Sequence, residues 1–180
     1  MKRNYLIITM LFFTAAVWAQ ENIITIASGW ASAKISDSDL KGTGWKINGL
    51  YEFSQQDDSK FVHGISFGFI NTHATEGDQR YRLNSFPLYY APKIMAGNGK
   101  IKGFLKGAIG LQFSSIRKEG LVDLTDADMG LYAGAGAGIM LMLNEELFIN
   151  AEYEIAWASN KYYKDGFINT IGGGIGVKFY

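Results

Sequence analysis

Few side chains in this sequence could do chemistry. His63 and His73 are the two histidines, and a hydroxyl nucleophile needs such a base within hydrogen-bond reach. The nearest hydroxyls are Ser66, Thr72 and Thr75. Strand alternation sends Ser66 inward and His63 outward, so those two do not assemble a nucleophile and base. Glu152 and Glu154 resemble a carboxylate acid/base pair, but shared parity on one strand favours structural ion pairs with lysines. Asp123, Asp126 and Asp128 have the spacing D-x-x-D-x-D. They lack the mid-loop glycine and terminal glutamate of an EF-hand and read as a solvated loop. Cysteine is absent, which removes disulfides, thiolate metal sites and cysteine nucleophiles. The expectation is no enzyme, no cofactor and no metal.

The stretch Met129 to Leu143, MGLYAGAGAGIMLML, could suggest a phosphate-cradling loop. A dinucleotide fingerprint needs G-x-G-x-x-G between a strand and a helix, and here the spacing is G-x-G-x-G. Leu131, Ala133, Ala135, Ala137, Ile139 and Leu141 fall on one parity; Gly130, Tyr132, Gly134, Gly136, Gly138 and Met140 fall on the other. That is a strand with one face crowded by large neighbours. Elsewhere, glycine at 22 and proline at 2 of 180 residues, with 14% aromatics, suit strands and turns. Lys+Arg and Asp+Glu are both 17, so no net field favours nucleic acid.

The elements that must position these residues follow from period-two alternation. It predicts about eight strands, centred on Ile24–Ala33, Thr43–Ser54, Phe61–His73, Ser85–Met95, Ile101–Ile116, Gly130–Leu143, Leu147–Ser159 and Phe167–Tyr180. Short turns (QQDDSK, AGNGK, NEE) alternate with longer connections (KISDSDLKG, ATEGDQRYRLN, RKEGLVDLTDAD, NKYYKDG). This is the rhythm of a transmembrane barrel. Residues 1–19 read as a cleaved signal peptide, with Lys2 and Arg3 ahead of an apolar run too short to span a bilayer. Residues 20–180 are then the barrel domain.

Charge decides which face is outside. Lys46, Glu52, Lys93, Lys102, Lys106, Glu152, Glu154 and Lys178 all lie opposite the large apolar residues. A lipid-facing Lys or Arg at mid-bilayer costs roughly 2–4 kcal/mol, so that face must be a polar lumen or solvent. Its glycines and the breadth of the apolar face favour a lumen charge network over a lipocalin-like soluble carrier. Trp30, Trp45 and Trp157, with Tyr162 and Tyr163, gather near the long connections, and Phe53, Phe61 and Phe179 near the short turns, as an aromatic girdle would.

On these features, together with SFPLYYAPK and the terminal GIGVKFY, the chain resembles the small eight-stranded outer-membrane β-barrels of the OmpA/OmpX type. The resemblance implies an all-β, antiparallel up-and-down transmembrane barrel in the outer membrane of a Gram-negative bacterium. It implies a monomer contacting outer-membrane lipid and lipopolysaccharide, delivered by periplasmic chaperones and the barrel assembly machinery. Phe179 and Tyr180 match the family's assembly signal, although alternation sends Phe179 outward and Tyr180 inward. Arg80 and Arg82, around Tyr81, could meet lipopolysaccharide phosphates. The expected role is structural or surface-interacting, with no extracellular ligand identifiable. The alternatives are a narrow pore and, less favoured, a lipid-modifying enzyme of the His, Ser and carboxylate type.

Overall fold

The computed structural model describes residues 21–36, 40–54, 60–119 and 124–179. The expected signal peptide, Asp123 and Tyr180 lie outside the described residues. β1 (Glu21–Ile35), β2 (Lys41–Ser54), β3 (Phe61–Glu76), β4 (Gln79–Tyr90), β5 (Lys93–Ala96), β6 (Ile101–Glu119), β7 (Leu124–Met142), β8 (Leu147–Ala158) and β9 (Tyr163–Phe179) follow in chain order. Each is antiparallel to its neighbours. β1 pairs with both β2 and β9, which closes the sheet into a barrel. No helix among the described residues is long and apolar enough to cross a membrane.

The barrel has eight staves, because β4 and β5 form one stave interrupted at Ala91 and Pro92. This corrects the single strand expected over Ser85–Met95. Proline has no N–H to give to the ladder, and Pro92 contributes only its carbonyl, which accepts from Gly107 N at 2.8 Å.

Much of the described part of the long connections is ladder, which is a second correction. ATEGDQRYRLN contains the ends of β3 and β4 joined at Gly77 and Asp78, with Gly77 at φ 57°. RKEGLVDLTDAD likewise extends β6 and β7, with Ser114 to Lys118 paired against Asp128 to Leu124. Polar strand residues escape a hydrophobicity pattern once the strand runs past the apolar band. Near the NKYYKDG connection the β1–β9 register slips between Ala33 and Ile35, and Gly166 adopts φ 75°. A bulge of this kind reverses side-chain parity. Tyr163 is therefore buried, and Tyr162, in the turn before β9, is buried as well, so neither joins the girdle.

Outward side chains form a continuous apolar band. It runs on β6 from Ile101 to Phe113 and on β7 from Leu141 to Met129, where every large outward side chain is exposed. That is ~40 Å along a strand and roughly 30 Å along the axis of a barrel with ~40° tilt. A band this wide is the outside of a membrane barrel.

The lumen is layered rather than uniformly polar. Ile23, Phe104, Met140 and Phe148 pack at the short-turn end. Ile70, Leu83, Ile116, Tyr163 and Ile168 belong to a second apolar cluster toward the long-hairpin end. Charges and tyrosines lie between them.

Candidate functional site

Glycines open the space this middle layer needs. Across the ladder, Tyr89 stands opposite Gly110, and Gly110 opposite Tyr132. The two tyrosine rings stack at 5.1 Å over the glycine between them. A Cβ on Gly110 would come within 2.8 Å of the Tyr89 Cβ, closer than side chains pack.

Around this pair the charges converge. Lys46 Nζ donates to Glu154 Oε1 at 2.6 Å, and Tyr132 OH donates to the same oxygen at 2.6 Å. Lys106 Nζ lies 2.9 Å from Glu154 Oε2 and also pairs with Glu152. Both lysine ammoniums sit about 6 Å from the Tyr89 ring centre. Together β2, β6, β7 and β8 supply a cross-lumen plug in which Lys46 and Glu154 are 5% and 1% exposed. Such burial is tolerable only because each charge is paired.

Nearer the short turns, Lys93 pairs with Glu52, both fully buried, and its ammonium lies 4.9 Å from the Phe104 ring centre. Lys178 is buried on β9, with its row partner Ile23 on β1. Lys102 is half-buried beside a concavity with Lys100, Met142 and Glu145 at the short-turn mouth. Of the eight charges the sequence singles out, six form these two clusters.

A further polar net was not foreseen from sequence. Ser85 Oγ lies 2.8 Å from both Ser114 Oγ and Tyr163 OH. Gln112 Nε2 and Asn160 Nδ2 donate to Ser114 Oγ at 3.1 and 3.0 Å. These residues are buried in the upper lumen. Their one available signal was inward parity, which many unrelated residues share.

A cavity of about 30 Å³ lies against the glycine wall, among Lys46, Asn48, Asn150, Glu152 and Gly172. That is room for about one or two water molecules, and too little for a hydrated ion.

The aromatic residues take outward positions. Trp30, Trp45, Phe61, Trp157 and Phe179 are between 40% and 49% exposed, and Phe53 is half-buried. Trp30 faces Trp45 across β1 and β2, and Trp45, Phe69 and Phe86 continue the belt with centroids 5.1 and 4.8 Å apart. Toward the short-turn end, His63 stacks on Phe53 at 5.4 Å, and its Nδ1 is 2.6 Å from Tyr90 OH.

Ser66 points inward and donates to Gly49 O at 3.1 Å, on the face opposite His63. His73 is exposed beside Arg82 in the register. Tyr81 is buried, so it does not share the outward face of Arg80 and Arg82. Beyond the band, Lys161 Nζ bonds Asp126 Oδ2 at 2.6 Å and Lys161 N donates to Asp128 Oδ2 at 3.1 Å. Among the described residues no group of acidic or histidine side chains is arranged to hold a metal.

The profile of the family described as outer membrane protein beta-barrel domain matches residues 6–179. No curated protein matches the sequence. Neisserial surface protein A superposes with a TM-score of 0.66 at 12% identity, over 88% of this chain and 97% of that one. The attachment invasion locus protein Ail of Yersinia pestis gives 0.58 at 18%, over 88% and 98%. A major outer membrane protein of Thermus thermophilus gives 0.62 at 10%, over 89% and 100%. At such identities the likeness is one of fold.

Proposed function

Because the chain belongs to the outer membrane protein β-barrel domain family and resides in the outer membrane, we propose that it is a closed-lumen barrel with a structural or surface-interaction role. The short turns, the start of β1 and the end of β9 face the periplasm, and the extended hairpins face outward. The observation that carries this reading is the plug: Lys46, Glu154, Lys106, Glu152 and Tyr132 cross the lumen at mid-height, with apolar layers above and below. An eight-stranded barrel is just wide enough for side chains to fill. What differs from one such barrel to another is then carried by the outer hairpins.

A narrow pore is the second reading, favoured by the small cavity against the glycine wall beside Lys46 and Glu152. Single-channel recording of the folded protein in a planar bilayer separates the two. Silence from protein shown to be inserted is the expected result. Steady conductance whose size or ion preference changes in Lys102→Gln or Glu152→Gln would replace the closed barrel with the pore.

A further inference from the structure

At the seam where β1 meets β9 the apolar band is hollowed into a concavity of about 810 Å³. Its walls are outward pairs across the seam, Ile24 with Val177 and Ile26 with Ile175. Its floor is low because the next outward row is Ser28 and Gly173, continued by Ala151 on β8. Ile47, opposite Ser28 on β2, closes this end, and the Trp30 and Trp45 pair stands one row beyond. Gly173 is bare for an internal reason, since a Cβ there would come within 2.8 Å of Asn150 O. Gly49 is not. It faces Ile26 at the edge of the groove, and a Cβ there would meet nothing within 4 Å. The protein's own packing does not account for that missing side chain.

The other end of the groove is polar. Asn22 and Phe179 form the outward row next to Ile24 and Val177. Tyr51 OH donates to Asn22 Oδ1 at 2.7 Å, and the Nδ2 donors of the same carboxamide have no partner among the described residues. Length selects the occupant. The step from Asn22 to Ser28 is six residues, which is ~20 Å along the strand and roughly 15 Å along the axis of a barrel with ~40° tilt. That is about half of the ~30 Å hydrocarbon core. The groove therefore has the depth of one leaflet, with donors at the interface, apolar walls between, and a blind end near mid-bilayer. A membrane-spanning helix does not fit a groove that stops at the midplane, whereas a fatty acyl chain with its ester at the interface does.

We propose that this groove holds one acyl chain of a diacyl glycerophospholipid from the leaflet at the short-turn end, with Asn22 Nδ2 donating to the lipid's ester or phosphate oxygens. That this leaflet is the periplasmic one rests on the orientation given above.

The test mixes detergent-folded protein with dipalmitoyl phosphatidylethanolamine, and native mass spectrometry counts the lipid kept at an activation energy that strips loosely held molecules. The wild type should keep one copy. Ser28→Phe with Gly49→Leu fills the groove while staying apolar toward lipid, and should lower retention at least ten-fold. Asn22→Leu should lower it at least three-fold. Ala135→Phe, a similar enlargement on the outward face of β7, should leave it unchanged, and heat-modified gel mobility reports that each variant has folded. The wild type alone supplies a second readout: with a diazirine at the end of one acyl chain, photolysis should place adducts around Ser28 and Gly173 rather than on β6 or β7. Unchanged retention in the filled variant, or adducts spread evenly around the barrel, overturns the site. A lipid-free mass of two chains that the filled variant loses would give the groove to a second copy and overturn it equally. Orientation is read separately: D78C in this cysteine-free chain should react with an impermeant maleimide on intact cells. Lack of labelling puts the groove in the other leaflet and overturns the periplasmic phospholipid; labelling without retention removes the lipid site alone.

Discussion

Lys46 on β2 reaches Glu154 on β8 at 2.6 Å, across 108 residues of sequence and over two intervening strands. The positions it passes on β1 and β9 are Gly29 and Gly172, which face each other. A Cβ on Gly29 would lie 2.6 Å from Gly172 Cα, and one on Gly172 would lie 2.7 Å from Gly29 Cα. The bare glycine pair lets the two strands approach and leaves a smooth wall for the lysine stem.

Gly172→Val should therefore do more than overpack the wall. Strand separation alone costs about 1–3 kcal/mol, and loss of the Lys46 path adds to it. Urea unfolding in phospholipid vesicles should show a drop of at least ~2 kcal/mol, and a cost below ~0.5 kcal/mol would mean that the wall yields freely.

Glu154 is the hub of the plug, since Lys46, Lys106 and Tyr132 all converge on it. Glu154→Gln leaves two buried ammoniums short of a counter-charge, a loss of roughly 3–5 kcal/mol. Removing the partner as well, in Lys46→Met with Glu154→Gln, should recover part of that. Equilibrium unfolding of the three variants provides the comparison. If the double variant is as unstable as the sum of the singles, Lys46 and Glu154 are not coupled.

The outer face was legible because lipid demands apolar side chains at every second position, which β8 and the band of β7 supply without a break and β6 supplies except at Gly103 and Gly107. The lysines and glutamates opposite them were legible as inward for the same reason. Their pairing was not. Whether Lys46 meets Glu154 or Glu52 depends on barrel closure and register, which no local pattern encodes. Inward apolar residues such as Phe104, Met140 and Phe148 also left no mark, since apolar side chains on both faces erase the alternation. The lengths of β3, β4, β6 and β7 were underestimated because both faces turn polar beyond the membrane, and Tyr163 was misplaced because the bulge at Gly166 breaks parity.

The apolar band predicts where a charge is tolerated. Ile109 is 64% exposed in the middle of β6, and Ser115 lies just beyond Phe113 on the same outward face. Ile109→Arg should cost about 2–4 kcal/mol in vesicles, whereas Ser115→Arg should cost no more than about 1. Equal costs at the two positions would mean that the band boundary lies elsewhere.

Outside the band, the Lys161 hydrogen bond holds the Asp126 carboxyl below its ordinary range, and Asp126 in turn raises Lys161. The pair's contribution is present between the ordinary carboxylate and lysine values. It fades as pH falls through the lowered Asp126 pKa, and again as pH rises through the raised Lys161 pKa. The stability difference between wild type and Asp126→Asn should be flat across neutral pH and vanish at the acid end. A difference that grows on acidification would have the wrong sign for this pairing.

Phe148 supplies the sharpest test of the lower lumen layer. Its buried ring lies over Gly176, where an added Cβ would come within 2.6 and 2.7 Å of ring carbons. The ring and the missing side chain occupy one volume, so each substitution should cost stability alone. Gly176→Ala overpacks, at about 1–3 kcal/mol, and Phe148→Ala leaves a cavity, at about 3–5 kcal/mol. Combined, the new methyl enters the space the ring vacated, and the double variant should be more stable than the sum of the singles by at least ~1 kcal/mol. Strict additivity would show that Gly176 is required by the approach of its backbone to β8 rather than by the ring, which would move the packing constraint from the side chain to the strand.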